Sequence, residues 1–154
     1  MKCSEDSDHV GEAGFAWDDR YLVGYKSMDV THQDFVALVD ALLVADDLQF
    51  PSALEAFRKH AEEHFSDEKK WMDSGEFPHR DCHVEEHEKV LSSVIEVQAL
   101  VAGGNIAIGR ELSKALRDWF PGHVDYMDSA LANWLVQRQF SGTPVVLKRK
   151  QAKA

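Results

Sequence analysis

Apolar residues recur at spacings of three and four over most of this chain, the period of helices buried along one face. Phe35, Leu38, Val39, Leu42 and Leu43 mark a first helix opening at Ser27 or Asp29. It is expected to stop near Phe50-Pro51, because proline holds the preceding residue out of helical geometry. Ser52 followed by Glu55 has the form of a capping box and predicts a second helix running to Ser74-Gly75. Its stripe is Leu54, Phe57, Ala61, His64, Phe65, Glu68, Trp71 and Met72, so polar side chains interrupt an apolar face. A third helix is expected from about His79 to Ala102, ended by Gly103-Gly104. Along it Val90, Leu91, Val94, Val97 and Leu100 or Val101 continue the face begun by His83 and His87. Asn105 can cap a fourth helix carrying Leu112, Leu116, Trp119, His123, Leu131, Trp134 and Leu135. Residues 15–27 mix aromatics with Gly24 and show no helical period; they read as an extended arm with Trp17 and Tyr21 packed on the core. Apart from the short run Val145-Val146-Leu147, nothing alternates as a strand would.

Long helices joined by short Gly/Pro/Asn connections predict an all-α fold: an antiparallel up-down-up-down four-helix bundle with an N-terminal extended arm. The expected organisation is a disordered tail at 1–14, the bundle at 15–138 and a basic tail at 139–154. With 154 residues, 44% of them hydrophobic, the chain can bury one core but hardly two.

Charge narrows the partners. A net charge of −10 argues against nucleic acid or an anionic membrane, both of which select basic surfaces. Residues 1–14 are acidic, whereas residues 141–154 carry Lys148, Arg149, Lys150 and Lys153 and no acid. Both ends read as solvated tails, the basic one able to dock a protein partner. The apolar runs are far short of a membrane span, and MKCSEDSDHVGEAG lacks the apolar block of a secretory signal, so a cytoplasmic protein without membrane insertion is expected, as a monomer. Cys3 and Cys82 have no metal-binding or redox spacing and read as two reduced thiols.

Candidate chemistry lies in seven residues on four segments: His32, His64 with Glu68, His83 with His87, and His123 with Asp128. Helical residues four apart stand about 40° from each other, so His64/Glu68 and His83/His87 are natural chelating pairs. Five imidazoles and two carboxylates exceed what one ion needs but suit two near-octahedral ions that share the carboxylates. Bridging carboxylates disfavour copper and thiolate chemistry, and two non-haem irons fit the set best. A metal also offsets the desolvation of acids and histidines set among core positions. One histidine on an apolar stripe is ordinarily a hydrogen-bonded core residue, but four such segments in one small chain argue for a shared site.

Two other readings of these segments exist. HVEEH at 83–87 has the His-x-x-Glu-His form of some zinc peptidases, with Glu86 as prospective base, and HAEEH at 60–64 repeats it. No third zinc ligand or substrate cleft accompanies either. Ferritin-like di-iron enzymes use Glu-x-x-His pairs, and no such pair fits a site here.

Over about residues 15–138 the chain resembles the hemerythrin family, most closely its single-domain bacterial branch. The resemblance rests on Trp17, Asp29 ahead of His32, HFSDE at 64–68, Trp71-Met72, Phe77-Pro78, HVEEHEKV at 83–90, and Trp119 before HVDYMD at 123–128. It implies that His83, His87 and His123 hold one iron and that His32 and His64 hold the other. Glu68 and Asp128 would bridge both, beside an oxo or hydroxo group. The second iron then keeps an open position where dioxygen binds reversibly, in a pocket for which Phe35, Phe65, Leu116 and Trp119 are candidates. The implied function is non-enzymatic oxygen storage, delivery or scavenging. Oxygen, redox or nitric oxide sensing, and a ferroxidase or peroxide-handling activity, are the alternatives.

Several positions depart from the family pattern. Thr31 precedes His32 where glutamine is frequent. Pro121-Gly122 precedes His123 and is expected to kink the fourth helix near Arg117. His123 and Asp128, five apart, stand about 140° from each other on an ideal helix, so a distortion is expected there. Tyr126 falls where an aliphatic residue usually faces the oxygen pocket; it either bonds a ligand, gates access or turns outward. His60 reads as a surface residue or a neighbour of the site, His9 and His79 as solvent residues, and Cys82 as pointing away from the irons.

Overall fold

The arm reaches the helices through side-chain anchors. In the computed structural model, which describes residues 14–141, it runs from Phe15 through a single 3-10 turn at Asp19–Tyr21. Tyr21 is buried with its ring 5.2 Å from Phe120, and Trp17 packs edge-on against Tyr21. The Phe15 amide donates to Asp40 Oδ1 at 2.9 Å. Asp29 accepts from the amides of Val23 and Gly24 at 2.8 and 3.1 Å, tying the arm to the helix that follows. The tails expected at 1–14 and 139–154, with Cys3, His9 and the Val145-Val146-Leu147 run, lie almost wholly outside the described residues.

The helices are α1 (Lys26–Val44), α2 (Phe50–Gly75), α3 (Arg80–Ala102), α4 (Ile106–His123) and α5 (Ser129–Ser141), the last two joined by a π-helical turn at Val124–Asp128. Two boundaries differ from the sequence reading. α1 ends at Val44, and Phe50-Pro51 opens α2 instead of closing α1. The Asp46 carboxylate accepts from the Gln49 amide at 2.8 Å, and Pro51 sits in the first turn, where its missing N–H has no intrahelical partner in any case. Ser52 and Glu55 are therefore already inside the helix. Glu55 instead accepts from Gln98 Nε2 on α3 at 2.6 Å.

At the other end of α2 the chain stops at Gly75, but the left-handed residue is Glu76, at φ 62°. Gly75 serves close approach: a Cβ there would run into the Trp134 ring of α5. Gly109 likewise lets the start of α4 lie against the Phe50 ring.

α1 packs on α2, α2 on α3 and α3 on α4, and α1 also packs on α4, which closes a four-helix bundle around one interior. Cross-links show the alternating directions. Arg58, early in α2, donates to Gln98, late in α3, and Arg110, early in α4, donates to the Ala45 carbonyl just past α1. The core forms two apolar clusters. Met28, Met72, Val84 and Leu131 belong to one; Phe35, Phe65, Val94 and Phe120 belong to the other. His32, Glu68, His87 and Asp128 fall between these members along their respective helices, so a polar layer divides the core. No helix among the described residues is long and apolar enough to cross a membrane.

Candidate metal centre

All seven residues singled out from the sequence are buried in that layer: His32, His64, Glu68, His83, His87, His123 and Asp128. Their ligand atoms fall into two sets, His83/His87/His123/Asp128 and His32/His64/Glu68, each within 4.8 Å. The carboxylates connect the sets. Glu68 places Oε2 2.9 Å from His64 Nε2 and Oε1 3.3 Å from His83 Nε2. Asp128 places Oδ2 3.0 Å from His32 Nε2, and Oδ1 3.1 and 3.2 Å from the Nε2 atoms of His83 and His123. Each carboxylate thus offers one oxygen to each histidine set, the disposition a pair of bridging ligands requires.

The contacts are close, yet most are not hydrogen bonds. His32 Nε2, His83 Nε2, Glu68 Oε1 and Asp128 Oδ1 are buried and have no hydrogen-bond partner among the described residues, despite neighbours near 3 Å. Ring nitrogens and carboxylate oxygens that crowd together without donor–acceptor alignment surround a common centre. Buried polar atoms left this way are costly, and cations at the two foci would satisfy them. The donor set of imidazole nitrogen and carboxylate oxygen suits iron.

In the metal-free chain the same crowding shifts protonation. Burial acts to lower the His32 pKa, but the Asp128 and Glu68 carboxylates overcome it and raise the group to about 9; His83 rises to about 9 for the same reasons. Burial likewise opposes ionisation of both acids. Even so, His64 and His32 hold Glu68 well below the usual carboxylate range, and His123, His32 and His83 do the same for Asp128. His87, dominated by burial, falls to about 3.

His123 and Asp128 meet because the helix changes geometry between them. The Ser129 amide donates to the Val124 carbonyl, an i→i+5 bond, and the Val124–Asp128 turn underwinds. Residues five apart then share a side. α4 is helical through Arg117 and Pro121, and the π turn that brings His123 and Asp128 together follows directly after His123. The same turn sends Tyr126 outward, where it is 82% exposed.

A family model, the hemerythrin HHE cation binding domain, matches residues 23–135. The chain belongs to the hemerythrin family. The bacteriohemerythrin of Ralstonia nicotianae is 40% identical to it over 79% of this chain and 89% of its own length. The myohemerythrin of Theromyzon tessulatum is 26% identical over 74% of this chain and 88% of its own. Hemerythrin subunit alpha of Lingula anatina is 26% identical over 74% and 89%.

The surroundings of the polar layer give the peptidase-like motifs other roles. Glu86, the prospective base, accepts from Trp119 Nε1 at 2.8 Å. That bond holds the indole in a stack on His123, with ring centroids 4.3 Å apart. In the HAEEH segment only His64 enters a ligand set. Of the expected pocket residues, Phe65 stacks on His87 at 3.9 Å, Phe35 stands edge-on to His64, and Leu116 is buried in the core. Sequence reasoning missed Phe120, which stands edge-on to His32 at 5.5 Å and stacks on Phe35 at 4.8 Å. Its place in the apolar stripe of α4, three residues before His123, was the available signal. Thr31 bonds back to the Ser27 carbonyl of its own helix. Cys82 is an exposed free thiol, on a cleft of about 360 Å³ that also reaches Tyr126 and His83. His60 is half-buried beside His64; burial, then His64 and His32, lower its pKa to about 4.

Proposed function

We propose that this chain binds dioxygen reversibly at a non-haem di-iron centre and serves oxygen storage, delivery or scavenging without catalysing a reaction. The observation that carries the reading is the double convergence of buried imidazole nitrogens on two carboxylates whose oxygens are divided between the histidine sets. Relatives named bacteriohemerythrin and myohemerythrin support it. His83, His87 and His123 would hold one iron, His32 and His64 the other, and Glu68 and Asp128 both. Two irons held there would supply the reversible electron transfer to dioxygen that none of these side chains can perform.

The protein's own part is placement and exclusion. Two histidines face one focus and three the other, so the His32/His64 side has fewer protein donors and is the side left open to a small ligand. Phe35 and Phe120 cover that side and keep water away, which disfavours loss of the ligand as a reduced, protonated species. Glu68 and Asp128 neutralise the metal charge where no solvent can do so.

The test is the visible spectrum of iron-loaded, anaerobically reduced protein exposed to oxygen and then flushed with argon. A charge-transfer band that appears with oxygen and vanishes under argon is the expected result. Immediate, permanent oxidation would replace the carrier with a sensor or an oxidase. Absence of any iron-dependent spectrum would overturn the di-iron centre.

A further inference from the structure

His60 is the polar group beside the centre that the ligand set does not use. It lies one turn ahead of His64 on α2. Its Nε2 is fully buried and has no hydrogen-bond partner among the described residues. A buried imidazole nitrogen with no partner is costly, so its position calls for an explanation.

The packing supplies one. His60 contacts His64 at a ring separation of 5.2 Å, His64 contacts His32 at 5.4 Å, and His32 contacts Phe120 at 5.5 Å. Phe120 stacks on Phe35 at 4.8 Å, and Phe35 returns to His60 at 6.2 Å. These five rings form a closed circuit on the two-histidine side of the centre. Two of its members are apolar and two are the expected iron ligands, so His60 is the one imidazole of the circuit outside the two ligand sets.

We propose that His60 is a positioning residue that donates a hydrogen bond from Nε2 to the small ligand, dioxygen or an anion, held on the His32/His64 side. This rests on the di-iron reading of the site. A neutral imidazole carries one N–H, and with that proton on Nε2 it can donate to a terminal ligand atom. The bond would orient the ligand and slow its departure. In an otherwise apolar enclosure no other side chain of the circuit can do this.

Azide is the probe, titrated into the oxidised, iron-loaded wild-type protein and into His60→Leu, His60→Phe and His60→Gln. Iron per chain is measured first in each. With two irons per chain throughout, His60→Leu and His60→Phe are expected to bind azide about tenfold more weakly, the loss of one hydrogen bond to a charged acceptor. They are also expected to shift the infrared stretch of bound azide. His60→Gln, which keeps a donor, is expected to recover most of the affinity and the wild-type frequency. Unchanged affinity and stretch in both donor-free variants, with iron content intact, would overturn the proposal. Failure of the wild-type protein to take up two irons would instead overturn the reading of the site, and this proposal with it.

Discussion

Single residues in the polar layer do more than one thing, and Asp128 shows this most clearly. Its two oxygens lie against His32, His83 and His123, and its charge is among the influences that keep His32 and His83 protonated in the metal-free chain. Replacing it by asparagine keeps the shape and removes both the charge and one bridging oxygen. Asp128→Asn is therefore expected to lower iron content from two per chain to one or fewer while helix content by circular dichroism stays near wild type. Full iron occupancy in this variant would contradict the bridging role. Glu86 works at one remove. By holding the Trp119 indole it fixes the ring stacked on His123, which makes a residue that looks like a peptidase base into a support for a ligand.

At the scale of elements, the π turn decides whether the fourth rod of the bundle can present both of its candidate ligands. His123 and Asp128 are five apart in the chain and must meet on one side, which an α-helix does not allow. A π turn is one extra residue in an α-helix, and Tyr126, 82% exposed, contributes no side chain to the core. Deleting Tyr126 leaves His123 and Asp128 four apart, the spacing that His64 and Glu68 already use. The deletion is expected to retain about two irons per chain. Inserting an alanine after Tyr126 carries Asp128 round the helix and is expected to lower iron content below one. Comparable iron in the two variants would show that the turn does not set the ligand geometry.

For the whole molecule, the metal-free centre is a buried cluster of charges whose balance depends on pH. His32 and His83 have pKa values raised to about 9, so near neutrality both carry protons that a metal must displace. Loading at pH 7 in weak buffer is expected to release about two protons per chain, detectable with an indicator dye, and the release should fade above pH 9. Apparent metal affinity should rise with pH up to that point. The sign for stability is opposite. A group whose folded pKa lies above the unfolded value stabilises the fold below the unfolded value and loses that contribution as pH rises through the folded one. The metal-free protein should thus lose thermal stability between about pH 6.5 and 9, while the iron-loaded protein should not. A metal-free melting temperature flat across that window would contradict the protonation pattern.

The four helical stripes, the chelating pairs at spacing four and the placement of seven polar residues on buried faces were all determined by the sequence, because helical period alone fixes which residues share a side. The Asn105 cap was legible for the same local reason: its side chain accepts from the Ile108 amide. What period cannot report is where one helix hands over to the next. Phe50-Pro51 can close a helix or open one, and the Asp46 carboxylate on the Gln49 amide together with the close seat of Phe50 on Gly109 decided for opening. Nor does period report the direction of a side chain across the bundle. The tertiary structure alone turned Glu86 to Trp119, Tyr126 to solvent, and His60 and Phe120 to the His32/His64 side. These choices depend on neighbours brought together from distant parts of the chain, and packing at the polar layer selected among orientations that the local sequence left equivalent.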